Sequence, residues 1–86
     1  MRDAPRFVHQ YIHHRRAREA AILAELTAGE ADIPALVDAI YVGLDPGLTK
    51  AAGLSVLAHL EDLVTRGVVE TDGPPAIDGV YRLFAG

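Results

Sequence analysis

Apolar positions recur along this chain in two rhythms. From Phe7 to Leu26 they follow the roughly 100° advance per residue of an α-helix, with Val8, Ile12, Ile22, Leu23 and Leu26 on one face. Arg15 and Glu19 fall in the middle of that face, four residues apart. Thr27-Ala28-Gly29 ends the pattern, Gly29 suiting a left-handed stop. After a short stretch ending in Ile33, Pro34 sits well in the first turn of a second helix of about eight residues. Leu36, Val37, Ile40 and Tyr41 are its apolar positions, and Gly43-Leu44-Asp45-Pro46-Gly47 breaks it. A third helix spans about Leu48 to Arg66, with Val56, Leu57, Leu60, Leu63 and Val64 on its apolar face and Gly67 beyond its end.

The rhythm then changes to that of strands. Val68-Val69-Glu70-Thr71 is β-branched, and Val80-Tyr81-Arg82-Leu83-Phe84 alternates apolar and polar positions. Between them lies a turn-rich loop, residues 72–79, with Pro74-Pro75 and two glycines. Three helices followed by two strands joined by a loop is the order of a winged helix-turn-helix. This predicts a mainly α fold with a small β-hairpin. The second and third helices form the helix-turn-helix pair, residues 72–79 form the wing, and Ile33 supplies a minor third strand. Residues 1–6 read as a lead-in linker and residues 7–86 as a single winged-helix domain, of a size that buries roughly 60–65% of its unfolded surface.

Composition narrows the class. Half the residues are apolar and 23% are charged, as in ordinary globular domains. With no cysteine, disulfides and thiolate metal sites are excluded, and a cytoplasmic location is expected. No apolar run has the length of a membrane span, so no membrane partner is expected. Charge is unevenly spread. Residues 1–18 hold five arginines against Asp3, a balance of +4, whereas residues 19–86 hold three cations against eleven acids, a balance of −8. A basic N-terminal end on an acidic body argues against broad affinity for nucleic acid, whose electrostatic part scales with phosphates neutralised.

The third helix has the wrong chemistry for reading DNA. Opposite its apolar face stand Ala51, Leu54, Ser55, Ala58, Asp62 and Thr65, and Lys50 is the one cation in its first two-thirds. The wing holds Asp72 and Asp78 and no basic residue. Ala51, Leu54 and Ala58 instead make a small apolar strip suited to a protein contact. Nucleic acid is therefore a disfavoured partner. His9, His13 and His14 include an i, i+4 pair but lack a third ligand, so they read as a solvated basic helix end. His59 has no nucleophile placed beside it by any motif, and nothing forms a Gly-rich phosphate loop. The chain carries no assembled active site and no cofactor of its own.

One set of residues does suggest a family. His14-Arg15-x-x-Arg18-Glu19-x-x-Ile22-Leu23, then Ile40-Tyr41, then Ser55-Val56-x-x-His59-Leu60-x-x-Leu63-x-x-x-Gly67-Val68 resembles the winged-helix domain associated with metallo-β-lactamase-fold hydrolases. The resemblance runs from about residue 9 to residue 83. In that family the domain follows a catalytic domain, and the enzymes include the lactamase-β-like endoribonuclease and many bacterial hydrolases. The His-x-His-x-Asp-His zinc motif of the catalytic domain is absent here. The resemblance thus implies an excised C-terminal portion, with Met1 either native or an introduced start, zinc held upstream, and no catalysis by these residues.

The resemblance further implies docking on that upstream metallo-β-lactamase-fold domain and a share in shaping substrate access. His14, Arg15, Arg18, Glu19, Tyr41 and His59 are the candidate docking or substrate-entrance residues. The basic first helix would offer cations to an anionic substrate. Phe7, Val8, Tyr11, Ala51, Leu54 and Ala58 are the candidate exposed interface residues, with Phe7, Val8 and Tyr11 lying beyond what a three-helix core of this size needs. Arg15 and Glu19 are expected to pair with one another across a turn. The alternative is a stand-alone nucleic-acid-binding or dimerisation module, a homo-oligomer in the second case.

Overall fold

Three helices and a three-stranded antiparallel sheet make up the computed structural model, which describes the backbone of residues 6–85 and the side chains of residues 13–85. In chain order the elements are α1 (Arg6–Thr27), β1 (Ala31–Asp32), α2 (Ile33–Ile40), a single 3-10 turn (Pro46–Leu48), α3 (Thr49–Thr65), β2 (Val69–Thr71) and β3 (Val80–Leu83). The fold is a winged helix. α1 begins at Arg6, one residue inside the expected lead-in, and residues 1–5 lie outside the described residues, as do the side chains of Phe7, Val8 and Tyr11.

Local chemistry explains the boundaries. Asp32 caps α2, its Oδ1 accepting from the Ala35 N–H at 2.9 Å, and Pro34 occupies the first turn, where no N–H is needed. Ile33 is therefore not the third strand that its β-branched side chain suggests. It is the first residue of α2 and is buried, while Ala31–Asp32 supplies the strand. Asp45 closes the 3-10 turn in the same way, accepting from the Gly47 N–H at 2.8 Å. α3 ends in a Schellman motif. The Val68 N–H reaches the Leu63 carbonyl and the Gly67 N–H the Val64 carbonyl, both at 3.0 Å, with Gly67 at φ +77°. Only glycine takes that angle without strain.

β3 is the central strand of the sheet, in the order β1-β3-β2. Tyr81 stands opposite Ala31 on one side and Thr71 on the other. Its ring is fully buried, and its hydroxyl donates to the Ala76 carbonyl at 2.6 Å while accepting from the Ala76 N–H at 2.9 Å. One phenol thus ties the wing loop to the core and satisfies both backbone groups of Ala76. Burial pushes the Tyr81 phenol above its ordinary range, so it stays protonated as that donor. A methyl at Gly79 would lie 3.3 Å from this ring and hydroxyl, a tighter approach than side chains normally make.

The core is a single cluster. Ile22 and Leu26 from α1, Leu36 and Val37 from α2, and Val56, Leu60 and Leu63 from α3 meet Ile33, Val69 and Tyr81. Leu57 and Val64, read from periodicity as core, pack against its edge, whereas Ala52 and Gly53 are buried. Small residues let α3 approach α2 closely at that end. Gly53 is conspicuous because helix interiors disfavour glycine and because an added methyl would meet Ile33 Cγ2 at 3.6 Å and Ile77 Cδ1 at 3.8 Å, ordinary contact distances. Gly53→Ala should therefore stabilise the fold by about 0.5–1 kcal/mol. Urea denaturation checks this, and a loss of stability would mean that the α2–α3 contact has no room for the methyl.

Candidate functional site

Burying one stripe of α3 leaves concave surfaces on both of its flanks. The first is an open cleft of about 270 Å³ between α1 and α3, lined by His14, Arg15, Arg18, Ser55, Ala58 and His59. α1 contributes the cations, spaced three apart so that Arg15 and Arg18 share a helix face. α3 answers with Ser55 and His59, also one turn apart. Four of the six residues expected at a docking or substrate-entrance surface, His14, Arg15, Arg18 and His59, thus come together. Tyr41 joins them indirectly, because the Arg18 guanidinium carbon lies 4.2 Å from the centroid of its ring. That stacking holds Arg18 in place without cancelling its charge.

The sixth residue, Glu19, does something different. Instead of pairing with Arg15, it accepts from Arg66 Nη2 at 2.6 Å, a bond between α1 and the C-terminal end of α3. Arg66 Nε also reaches Asp62 Oδ2 at 3.1 Å. The nearest acid in sequence to Arg15 on its own face is thereby engaged elsewhere. Both partners of the Glu19–Arg66 pair keep substantial exposure, so the pair orients side chains more than it stabilises the fold.

The other described arginine of the body is neutralised too. Arg82 donates from Nε to Glu70 Oε1 at 3.0 Å and from Nη2 to Asp72 Oδ1 at 3.1 Å, on the wing. Among the described residues, neither Arg15 nor Arg18 belongs to an ion pair. The cleft thus holds two arginines outside these ion pairs, while Arg66 and Arg82 are engaged by carboxylates.

His59 shares this cleft. Burial, first, and the positive charge of Arg15 hold its pKa below the ordinary value for histidine. Arg18 adds to the depression, while Glu19 and Asp62 oppose it. The imidazole is accordingly neutral at pH 7 and offers one donor and one acceptor nitrogen.

The second concavity is apolar, about 340 Å³, between α2, the start of α3 and the wing. Ile33, Pro34, Val37, Gly53, Leu54 and Ile77 line it, with Lys50 and Asp38 at its edge. Leu54 and Ile77 are about half exposed. The expected apolar strip of Ala51, Leu54 and Ala58 is exposed, but it divides: Leu54 lines the groove and Ala58 the cationic cleft. Sequence reasoning missed Ile77, which Pro74-Pro75 and Asp78-Gly79 disguise as loop, and Ser55 as part of the cleft. It also missed Arg66 as the partner of Glu19, since a contact 47 residues away leaves no local trace.

Among the described residues no group of three or more His, Asp or Glu is placed to hold an ion. Also among the described residues, no helix is long and apolar enough to cross a membrane.

The class is a winged helix whose wing loop carries Asp72 and Asp78 and whose α1–α3 cleft, among the described residues, holds Arg15 and Arg18 outside any ion pair. Residues 33–76, from the first residue of α2 into the wing loop, match the family described as the Beta-lactamase associated winged helix domain. The match covers just over half the chain, and the chain belongs to this family. α1, with the arginines of the cleft, lies outside the matched stretch, while Ser55 and His59 lie inside it. No curated protein matches the chain.

The depressed pKa of His59 has a consequence for stability. Below about pH 6.5 the unfolded chain takes up a proton at this histidine more readily than the folded one. Stability therefore declines as pH falls from about 6.5 toward the lower folded midpoint. His59→Gln should flatten that part of the profile, as read by thermal unfolding at a series of pH values. An unchanged acid-side slope would contradict the assignment.

Proposed function

We propose that this domain is the accessory C-terminal part of a zinc-dependent metallo-β-lactamase-fold hydrolase. It docks on the catalytic domain that precedes it and helps shape the way in for substrate. Membership of a β-lactamase-associated family supports the first half of this reading. The observation that carries the second is the α1–α3 cleft, where, among the described residues, Arg15 and Arg18 join no ion pair while Arg66 and Arg82 are each engaged by two carboxylates. An unpaired pair of guanidiniums in a concavity is suited to an anionic substrate group or to an acidic rim on the docked domain.

On this reading the zinc of the parent hydrolase would be held by the preceding domain. His14, Arg15, Arg18 and His59 would line the entrance. Glu19 would set the charge of the cleft through Arg66, and Tyr41 would fix Arg18. The exposed Leu54 and the apolar groove beside it would supply contact area for docking, as apolar patches on accessory domains do.

Two measurements test this together. The 86-residue chain alone should bind no zinc and hydrolyse neither phosphodiesters nor thioesters. In the full gene product, Arg15→Glu with Arg18→Glu should leave zinc content unchanged and raise KM for an anionic substrate by roughly tenfold or more, the worth of one charge-assisted contact. Hydrolysis by the chain alone, or wild-type kinetics in the doubly reversed enzyme, would overturn the reading.

A further inference from the structure

The cleft holds more donors than a docking contact on a carboxylate needs. Two guanidiniums, a serine hydroxyl and an imidazole N–H converge on one concavity. A carboxylate has two oxygens and one charge; a phosphate monoester has three terminal oxygens and close to two charges at neutral pH. Its charge matches the two arginines, and its oxygens suffice for donors from both helices. At about 270 Å³ the cleft also leaves room for part of whatever bears the phosphate.

We propose that the α1–α3 cleft is a binding site for a single phosphate group, held between Arg15 and Arg18 with Ser55 and His59 on the opposite wall. The proposal deepens the reading of this cleft as a substrate entrance and rests on that reading for the molecule that carries the phosphate.

Three features of the structure point to an isolated phosphate rather than a polyanion. First, the positive region is local. Acids flank it on α3, at Glu61 and Asp62, and the wing beyond carries Asp72 and Asp78, so no continuous cationic track exists along the described surface. A nucleic acid strand leaving the cleft would meet repulsion within a few residues. Second, the cations are kept available by construction. Glu19, the acid at i+4 from Arg15, is drawn off by Arg66, which is itself braced by Asp62. Third, Arg18 is braced by the ring of Tyr41, a contact that brings no opposing charge.

His59 makes the site proton-linked. In the free protein burial, first, and then Arg15 and Arg18 disfavour its cationic form, against the opposite pull of Glu19 and Asp62, and His14 faces the same cleft. A bound phosphate supplies the missing negative charge, so His59 takes up a proton as the anion binds. Binding of a phosphate monoester should accordingly strengthen as pH falls from about 7.5 toward 6, until the ester itself becomes a monoanion near its second pKa of about 6.

Inorganic phosphate titrated into the isolated chain at constant ionic strength tests this, read by the His59 ring proton in NMR. Phosphate should raise the His59 titration midpoint, and chloride at matched ionic strength should not. Arg15 is exposed and contributes no ion pair among the described residues, so Arg15→Gln should keep the fold by circular dichroism and weaken phosphate binding roughly tenfold. Glu19→Gln should leave that binding at least as tight. A His59 midpoint that phosphate does not move, or a shift that survives Arg15→Gln, would overturn the proposal. So would a short single-stranded RNA binding by anisotropy far more tightly than phosphate, which would make the site part of a nucleic-acid track. Because the readout uses this chain alone, failure here leaves the docking reading to be judged by the kinetics of the full gene product.

Discussion

Burial of the Val56-Leu60-Leu63 stripe of α3 is the constraint from which the other features follow. Those three residues are at most 1% exposed, and they fix the rotation of the helix about its axis. Once that rotation is set, residues on either side of the stripe have no freedom to choose their surroundings. Ser55 and His59 must turn toward α1, and Gly53 and Leu54 must turn toward α2 and the wing. The cationic cleft and the apolar groove are the two sides of one packing decision. Large-to-small replacement along the stripe would therefore loosen both surfaces at once, beyond its direct cost in buried contact.

Electrostatics refines what packing has placed. An arginine on a mainly acidic body is easily captured by carboxylates, and on the wing and at the end of α3 that is what happens. Among the described residues Arg15 and Arg18 join no ion pair. Glu19 spans to Arg66, and Arg18 rests on Tyr41. The result is a small region whose potential opposes that of the domain around it, held in place by contacts individually too exposed to matter much for stability. Its interest lies in what it can bind. Burial lowers the pKa of His59 first, and the charge of Arg15 beside it lowers it further.

Much of the fold is legible in the sequence, for physical reasons that are easy to name. The helices announce themselves by apolar spacing and by their stop signals, Gly29 and Gly67, and the strands by β-branching and alternation. Order and length then suffice for a winged helix, and the family match over residues 33–76 agrees. Propensity failed where capping chemistry outweighed it: Ile33 has a strand-forming side chain, but Asp32 caps and Pro34 follows, so it opens a helix. The core edge failed at Ala52 and Gly53, because small residues are buried by close approach of helices and carry no strong apolar signal.

The site was legible in part. Arg15, Arg18 and His59 stand out in the sequence, yet nothing local says that they share a cleft or that Ser55 joins them. The Arg15–Glu19 spacing invites a pairing along the helix, whereas tertiary structure gives Glu19 to Arg66, whose position relative to α1 depends on the packing of the whole core. That exchange turns an apparent interruption of an amphipathic stripe into the device that leaves Arg15 free. The most direct measurement of the account is a crystal structure of the full gene product. The account predicts that Arg15, Arg18 and His59 face the substrate entrance of a preceding metallo-β-lactamase-fold domain, with the Glu19–Arg66 pair intact. The same residues turned to open solvent, away from that domain, would contradict it.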